Sequence, residues 1–525
     1  MKYFFSLICL VLSLCSWAQT IEVQGHQSGL WDADTVLVKG QVKVRDSLSI
    51  APGTVVLFDD FVGIDIVGGA SFIAQGTADE PILFTVADTT GFSIYNSGKG
   101  GWNGLFVDKA GKVRLDYCKL QFGKAADTLD QHGGAMNILQ TSDVEITHST
   151  FFCNFSREHG GAINAEGSSI RFSNCAINDN KVYTSDPLYY MYGGGARFLK
   201  CDIVMTDMEF MNNYGPSCIG GAMSLDSCSI LLDRAVFAHN IGINGGGFYM
   251  MRCNDKACRV SNLLIHDNFS GHFGGGMAFS DASPEVYNVT VTRNFSEGVN
   301  CNGVFYYQYS SPVLVNCIVS GNYPEHPQGD TIQQWIWTFD DYAPEFHNCL
   351  FEDGLKQFTG ADYIHVAEDI MDLDPGFVDP EHEDFHLSED SPCRDAGSLQ
   401  TPDYILASLD LDHMPRVSNQ RVDLGPYEYS GANVGETALE ASSVELLGNP
   451  LNAQSQLRLD LHEAGEVVVR FISLLGQSTA MRSFGRREAG TSMLDLGDMV
   501  ARLDHGVYLL EVRVNEKNYL LKSLK

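Results

Sequence analysis

Positive charge is scarce in this chain. Its 525 residues hold 34 Lys and Arg against 66 Asp and Glu, a formal charge of −32 at pH 7. That balance argues against nucleic acid and anionic membrane as partners. It suits a protein that must stay soluble outside a cell. Beyond the first residues no apolar run reaches membrane-spanning length, so no transmembrane segment is expected. Cysteines never occur as Cys-x-x-Cys, so no zinc site is expected and no metal ligand is assigned. No acidic stretch matches an EF-hand or a nonapeptide calcium repeat. Acidic clusters at Glu368-Asp369, Asp379–Asp384 and Asp410-Leu-Asp412 read as solvated surface, with calcium the one ion they would suit. No other cofactor is expected.

Glycine, by contrast, is plentiful at 52 residues, more than the usual ~7%. It is also periodic. Diglycines fall at Gly133-Gly134, Gly160-Gly161, Gly194-Gly195, Gly220-Gly221, Gly246-Gly247 and Gly275-Gly276. An asparagine follows each one, at Asn154, Asn180, Asn213, Asn240, Asn268 and Asn294. The first Gly precedes that Asn by 21, 20, 19, 20, 22 and 19 residues. A period in the twenties predicts a solenoid of stacked coils. Within each unit apolar residues alternate in short runs: after the diglycine, again at pairs such as Val144 and Ile146 or Ile203 and Met205, and just before the Asn, as at Phe151, Ile177, Phe210 and Phe237. Three alternating strands per coil predict an all-β, three-sided parallel β-helix. The diglycine is expected to form a sharp corner. The Asn is expected to take a left-handed corner conformation and to hydrogen-bond with the Asn of the next coil. At about 4.8 Å per coil, about twelve to fourteen coils make a rod about 60 Å long.

The two ends read differently. Lys2, an apolar run over Tyr3–Leu14 and a small residue at Ala18 read as a secretory signal peptide, with cleavage expected after Ala18. Leu14 before Cys15 does not suit a lipoprotein signal. Twelve cysteines follow the signal. Cys175, Cys317 and Cys349 each follow an Asn and read as small buried apolar groups in a ladder. Cys253 and Cys258 are spaced for a local disulfide. From Val444 onward the pattern changes to longer alternating strands, which predicts a small C-terminal β-sandwich.

Several motifs carry family resemblances. Gly-Gly-Ala-[Ile/Met] paired with Phe-x-x-Asn resembles the repeats of chlamydial polymorphic outer membrane proteins, and more broadly the right-handed parallel β-helices of the pectin-lyase fold. Leu48–Phe58, Ile82-Leu-Phe-Thr and Gly101-Trp102-Asn-Gly104 resemble the opening of secreted bacterial β-helices. Asp374-Pro-Gly-Phe-Val-Asp379, Ser391-Pro-Cys-Arg-Asp-Ala-Gly397 and Val422–Glu428 resemble the choice-of-anchor module that closes many such proteins. That likeness implies ion pairs among Arg416, Asp423 and Glu428. Asn449-Pro450, Leu475-Gly476-Gln477, Gly506-Val-Tyr508 and the end around Lys522 resemble the type A sorting domain of the type IX secretion system. It implies an Ig-like sandwich, the type IX machinery as partner, export across an outer membrane and attachment to the cell surface. The expected organisation is a signal peptide at 1–18, a cap and first coils at 19–100, β-helix repeats at 101–373, a terminal module at 374–429, a linker at 430–443 and the sorting domain at 444–525.

Chemistry is sparsely marked. The segments between each Asn and the next diglycine leave the helix at one corner and line up along one edge. Residues 181–192 bring Tyr189 and Tyr190, and residues 323–346 bring Trp335, Trp337 and Tyr342. These are read as projecting loops whose rings stack on sugar, or else pack onto the helix. His132 and His159 precede diglycines one repeat apart, with Glu158 adjacent, so stacking brings the imidazoles together. They are the weak candidates for acid–base chemistry; the competing reading is a pair of surface histidines. Polygalacturonase-like enzymes carry an Asn-Thr-Asp and an Arg-Ile-Lys run, and both are missing. Arg157, Arg171 and Lys200 are available as a lyase base, but no acidic triad aligns with them. The leading expectation is a non-catalytic surface protein that binds extracellular glycan or another surface partner through one edge. A polysaccharide lyase or glycoside hydrolase is the alternative, and an inert spacer the third reading.

Overall fold

The computed structural model describes residues 19–126, 132–183, 190–254, 258–297, 301–322, 334–337, 342–359, 364–399, 409–417, 421–429, 443–447, 451, 455–461, 464–473, 478–503, 507–514 and 517–524. The signal-peptide reading at 1–18, Tyr189, Gly506 and most of the 430–443 linker lie outside the described residues. Among those described, no helix is long and apolar enough to cross a membrane.

The chain forms a right-handed three-sided parallel β-helix followed by a small antiparallel β-sandwich. Three stacks of short parallel strands run the length of the helix. The first face joins Ile64–Val67, Leu105–Asp108, Met136–Leu139, Ile163–Glu166, Ala196–Leu199, Met223–Asp226, Phe248–Met251, Met277–Ser280, Val304–Tyr307 and Gln334–Trp337 in register. The second and third faces follow within each coil, and Ser169–Asn178, Asp202–Met211 and Ser229–Ala238 run through both. Alternate residues point inward and stack on their counterparts one coil away. Their union is one continuous core from Val23 to Phe358. Rings stack face to face along it: Phe58 on Trp102 at 4.2 Å and Phe210 on Phe237 at 4.7 Å. The first strand, Thr20–Trp31, buries only Val23 and Trp31, so the helix opens on a polar coil that leaves little core exposed.

The corner asparagines form a buried ladder. Each donates through both its backbone N and its Nδ2 to Oδ1 of the next: Asn154 Nδ2 to Asn180 at 3.0 Å, Asn180 to Asn213 at 3.1 Å, and Asn213 to Asn240, Asn240 to Asn268, Asn268 to Asn294 and Asn294 to Asn322 at 2.9 Å. The expected hydrogen bond is present, but the left-handed residue is the one before each Asn: Cys153, Asp179, Asn212, His239, Asp267 and Arg293. Turning one residue early swings the Asn side chain inward, where its amide satisfies buried backbone carbonyls as well as its neighbour.

The glycine reading also needs a one-residue correction. Positive φ falls on Gly133, Gly160, Gly193, Gly220, Gly245 and Gly274. In the three triple-glycine repeats the corner therefore starts one residue before the diglycine chosen from sequence. The following glycine is required for space: a methyl on Gly134 would run into Phe155 O and Gly161 O.

The described part of the terminal module, 374–429, runs back along the third face and its corners. Ser398 and Asn316 exchange hydrogen bonds at 2.8 and 3.1 Å, His413 reaches Asp207 at 3.3 Å, and Leu387, Cys393 and Leu424 bury Ile318 and Leu350. Arg416 is fully buried and pairs with Glu428 at 3.2 Å. Burial pushes the Glu428 carboxyl up to about 8, against the pull of Arg416. Asp423 departs from the expected trio: its carboxylate accepts the backbone N–H of Asp395 and Tyr429, each at 2.6 Å, while Arg416 donates to its carbonyl. The twelve cysteines among the described residues are free thiols, Cys253 and Cys258 included, so the expected disulfide is not formed. Cys175, Cys317 and Cys349 are buried as ladder residues. In the C-terminal domain two antiparallel sheets of three and four strands enclose a separate core. Tyr508 lies on the strand Val507–Val514 and Lys522 on Lys517–Leu524.

Candidate functional site

The first face and the row of residues before each glycine corner form the two sides of a groove. That row runs His132, His159, Tyr192, Ile219, Asn244 and Phe273, paired coil to coil as short parallel bridges. The outward positions of the facing sheet run Asn137, Asn164, Arg197, Ser224, Tyr249, Ala278 and Phe305. Both rows change residue at nearly every coil. The groove is polar and charged at one end and aromatic at the other.

At the polar end His132 and His159 stack at 5.0 Å, nearly parallel, and His132 Nε2 lies 3.5 Å from Glu158 Oε2. The three weak catalytic candidates are therefore together. His159 Nδ1 sits 2.9 Å from Glu158 O. A carbonyl only accepts, so Nδ1 carries the proton and Nε2 is left as an acceptor. Burial, then the Arg197 charge, then His132 push the His159 pKa down to about 3. The imidazole is neutral at ordinary pH and a weak base.

One coil further, Tyr192 meets His159 edge-on at 5.4 Å and lies under the Arg197 guanidinium at 5.9 Å. Arg197 Nη1 donates to Asn164 Oδ1 at 2.9 Å, and Asn164 Nδ2 to Asn137 Oδ1 at 2.8 Å. A cavity of about 480 Å³ opens here, lined by Tyr192, Arg197, Lys200, Asp226 and Arg252 among others. Asp226 holds Arg252, with Nε to Oδ1 at 2.9 Å. Lys200 extends from the left-handed corner after the strand and is exposed. Arg197 and the Asn137–Asn164 relay escape sequence reasoning, because only the register shows that they share one row. Arg171, weighed as a base, belongs to the second face and not to this groove.

The aromatic end is a set of linked rings. Phe273 stacks on Phe305 at 4.6 Å, Phe305 on Tyr307 at 5.5 Å, and Tyr307 meets Trp337 edge-on at 5.7 Å. Tyr309 and Tyr342 meet at 5.3 Å. Trp337, Tyr309 and Tyr342 are 45%, 44% and 43% exposed. The loop reading for Trp335 and Trp337 is corrected here: both sit on the strand Gln334–Trp337, in register with Val304–Tyr307. The Trp335 side chain lies outside the described residues. Tyr190 is 63% exposed but adjoins Tyr192, on the coil of Ala196–Leu199. Five coils separate that position from Trp337, about 24 Å at the coil spacing. Trp337 and Tyr342 are thus neighbours of Tyr307 and Tyr309, which the sequence reading overlooked, and not of Tyr190.

No curated protein matches the chain. Residues 200–367 match the model of a family described as "Right handed beta helix region", a match of architecture that agrees with the stacked coils.

Proposed function

We propose that this chain is an exported, surface-attached β-helix that binds an extracellular glycan along its first face without processing it. The observation that carries the reading is the aromatic end of the groove. Trp337, on a strand paired with Val304–Tyr307, and the adjoining Tyr309 and Tyr342 are exposed aromatic rings with polar tips. Such rings suit the CH face of a pyranose. The cavity at Arg197, Lys200 and Arg252 adds donors for hydroxyl or carboxylate groups further along a polymer. The signal-like start and the resemblance of the last ~80 residues to a sorting domain support export and attachment.

A second reading, glycan cleavage, is favoured by one observation: His132, Glu158, His159 and Arg197 converge. The low basicity of His159 weighs against it. One experiment separates the readings: a glycan array with a depolymerisation assay on the purified chain, repeated with Trp337→Ala and His159→Ala. Binding without new chain ends, weakened in Trp337→Ala and kept in His159→Ala, is the expected result. New reducing or unsaturated ends that vanish in His159→Ala would replace it with an enzyme. Silence in both assays would make the rod a spacer.

A further inference from the structure

Away from the groove, two histidines meet a glutamate from a distant part of the chain. His239 occupies the left-handed corner before Asn240, at φ 57°. His266 pairs in register with Ala238, one coil on. Glu383 belongs to the flank module and ends the short helix Pro380–His382, itself left-handed at φ 64°. His239 Nε2 lies 3.2 Å from Glu383 Oε1. One ligand atom from each of the three stands within 4.8 Å of the others. His266 is buried, His239 partly so and Glu383 exposed, so the group is anchored inside and open to solvent outside.

The surroundings orient it. Asp267 Oδ2 lies 2.8 Å from His266 Nδ1, and Asp267 Oδ1 accepts Arg293 Nε at 2.9 Å. A carboxylate on one ring nitrogen fixes the tautomer and leaves the lone pair on Nε2 for a ligand, the usual arrangement behind a metal-bound imidazole. Arg293 also donates to Pro380 O, so the same contacts hold the segment that carries Glu383. Phe385 packs on the His266 ring at 5.0 Å.

We propose that His239, His266 and Glu383 bind a divalent transition metal, zinc by preference, and that the ion staples the flank module to the coils. Two imidazoles with one carboxylate form a set that zinc accepts, with water in the fourth position. Calcium and magnesium favour all-oxygen shells and do not suit it. At bond lengths of about 2.0–2.2 Å, ligand atoms on a tetrahedral zinc stand about 3.4 Å apart. The His239–Glu383 pair is already close to that spacing. The other ligand atoms, within 4.8 Å, come to that spacing by small side-chain adjustments of the partly buried His239 and the exposed Glu383.

The test is titration of the full chain, freed of metal, with cobalt(II) followed by absorption and with zinc followed by calorimetry. The expected result is one equivalent per chain, with the visible bands of tetrahedral cobalt and no thiolate charge-transfer band. Glu383→Gln and His239→Ala should each weaken zinc binding tenfold or more. Asp267→Asn, which alters the partner of the His266 ring and also its bond from Arg293, should weaken it about 10- to 100-fold. Zinc should also raise the thermal midpoint of the wild type and not of Glu383→Gln, whose exposed position leaves the fold intact. Absence of tetrahedral cobalt bands, or equal zinc affinity in wild type and Glu383→Gln, overturns the proposal.

Discussion

The asparagine edge and the first face belong to the same coils and follow opposite rules. On the edge one residue type recurs from Asn154 to Asn322, fully buried, with the same pair of bonds at every step. On the face the outward residue changes from Asn164 to Arg197, Ser224, Tyr249, Ala278 and Phe305. Both sites are equally well positioned by the backbone. The difference is that a coil cannot close without satisfying the buried carbonyls at its corner, whereas any side chain that fits can stand on the face. Within one solenoid, sameness from coil to coil therefore marks what the fold demands. Variation marks where a ligand is free to impose its own demands.

The sharpest way to break this contrast is to cut the ladder. Asn213→Ala removes acceptance from Asn180 N and Nδ2 and donation to Ile177 O and Asn240 Oδ1. The buried groups left without partners should cost about 3 kcal/mol or more. Asn268→Ala should cost nearly the same, and neither should change which glycan binds. Denaturant titration of the two variants checks this, and a large loss at one position with none at the other would end the equivalence of the coils. A smaller effect is expected on the face. Trp337→Ala removes a partly exposed ring and should leave the thermal midpoint within a degree or two. It should weaken glycan binding about fivefold to tenfold, the equivalent of about 1 kcal/mol or slightly more, as read by calorimetry with the best array ligand.

Much of the edge was legible in sequence and little of the face. The repeat gave the three-sided helix, the Asn–Asn hydrogen bond and the buried Cys175, Cys317 and Cys349, because each follows from period and polarity alone. The glycine register slipped where three glycines are consecutive, since composition cannot say which of Gly193 and Gly194 takes positive φ. Arg197, Tyr307 and Tyr309 went unnoticed because an outward position has meaning only once strands are aligned. Trp337 falls in the long segment 323–346, which reads as a projecting loop in sequence. The flank module leaves little sign in sequence. Arg259–His266 and Glu285–Thr292 are buried on nearly every residue, unlike Asp202–Met211, yet Val289-Thr-Val-Thr292 still alternates as a half-exposed strand does. What no spacing reveals is the meeting of His239 and His266 with Glu383, which depends on the path of the module back along the rod.

The smallest effect concerns how that module is held, and it extends the contrast from coils to flank. His386 is gripped by two carboxylates, Nδ1 to Asp384 and Nε2 to Asp412, each at 2.6 Å, with the Tyr427 ring tilted against it at 4.1 Å. The Asp412 hydrogen bond leads, helped by Asp384 and opposed by burial, and raises the imidazole to about 9. A raised pKa means the folded state holds the proton more tightly than the unfolded chain, whose imidazole titrates near 6.5. The stabilisation is therefore full below about pH 6.5 and lost as pH rises through about 9. Because the side chains are 42–49% exposed, solvent screening should hold the effect under about 1 kcal/mol. Glu428, also raised, lowers the thermal midpoint as pH rises to about 8, so the His386 share is the part of the fall between pH 6.5 and 9.5 that Asp412→Asn removes. The Asn ladder has no titrating group, so Asn213→Ala should keep the wild-type slope while lying below it at every pH. A ladder variant that flattened the slope would mean that flank and edge unfold separately.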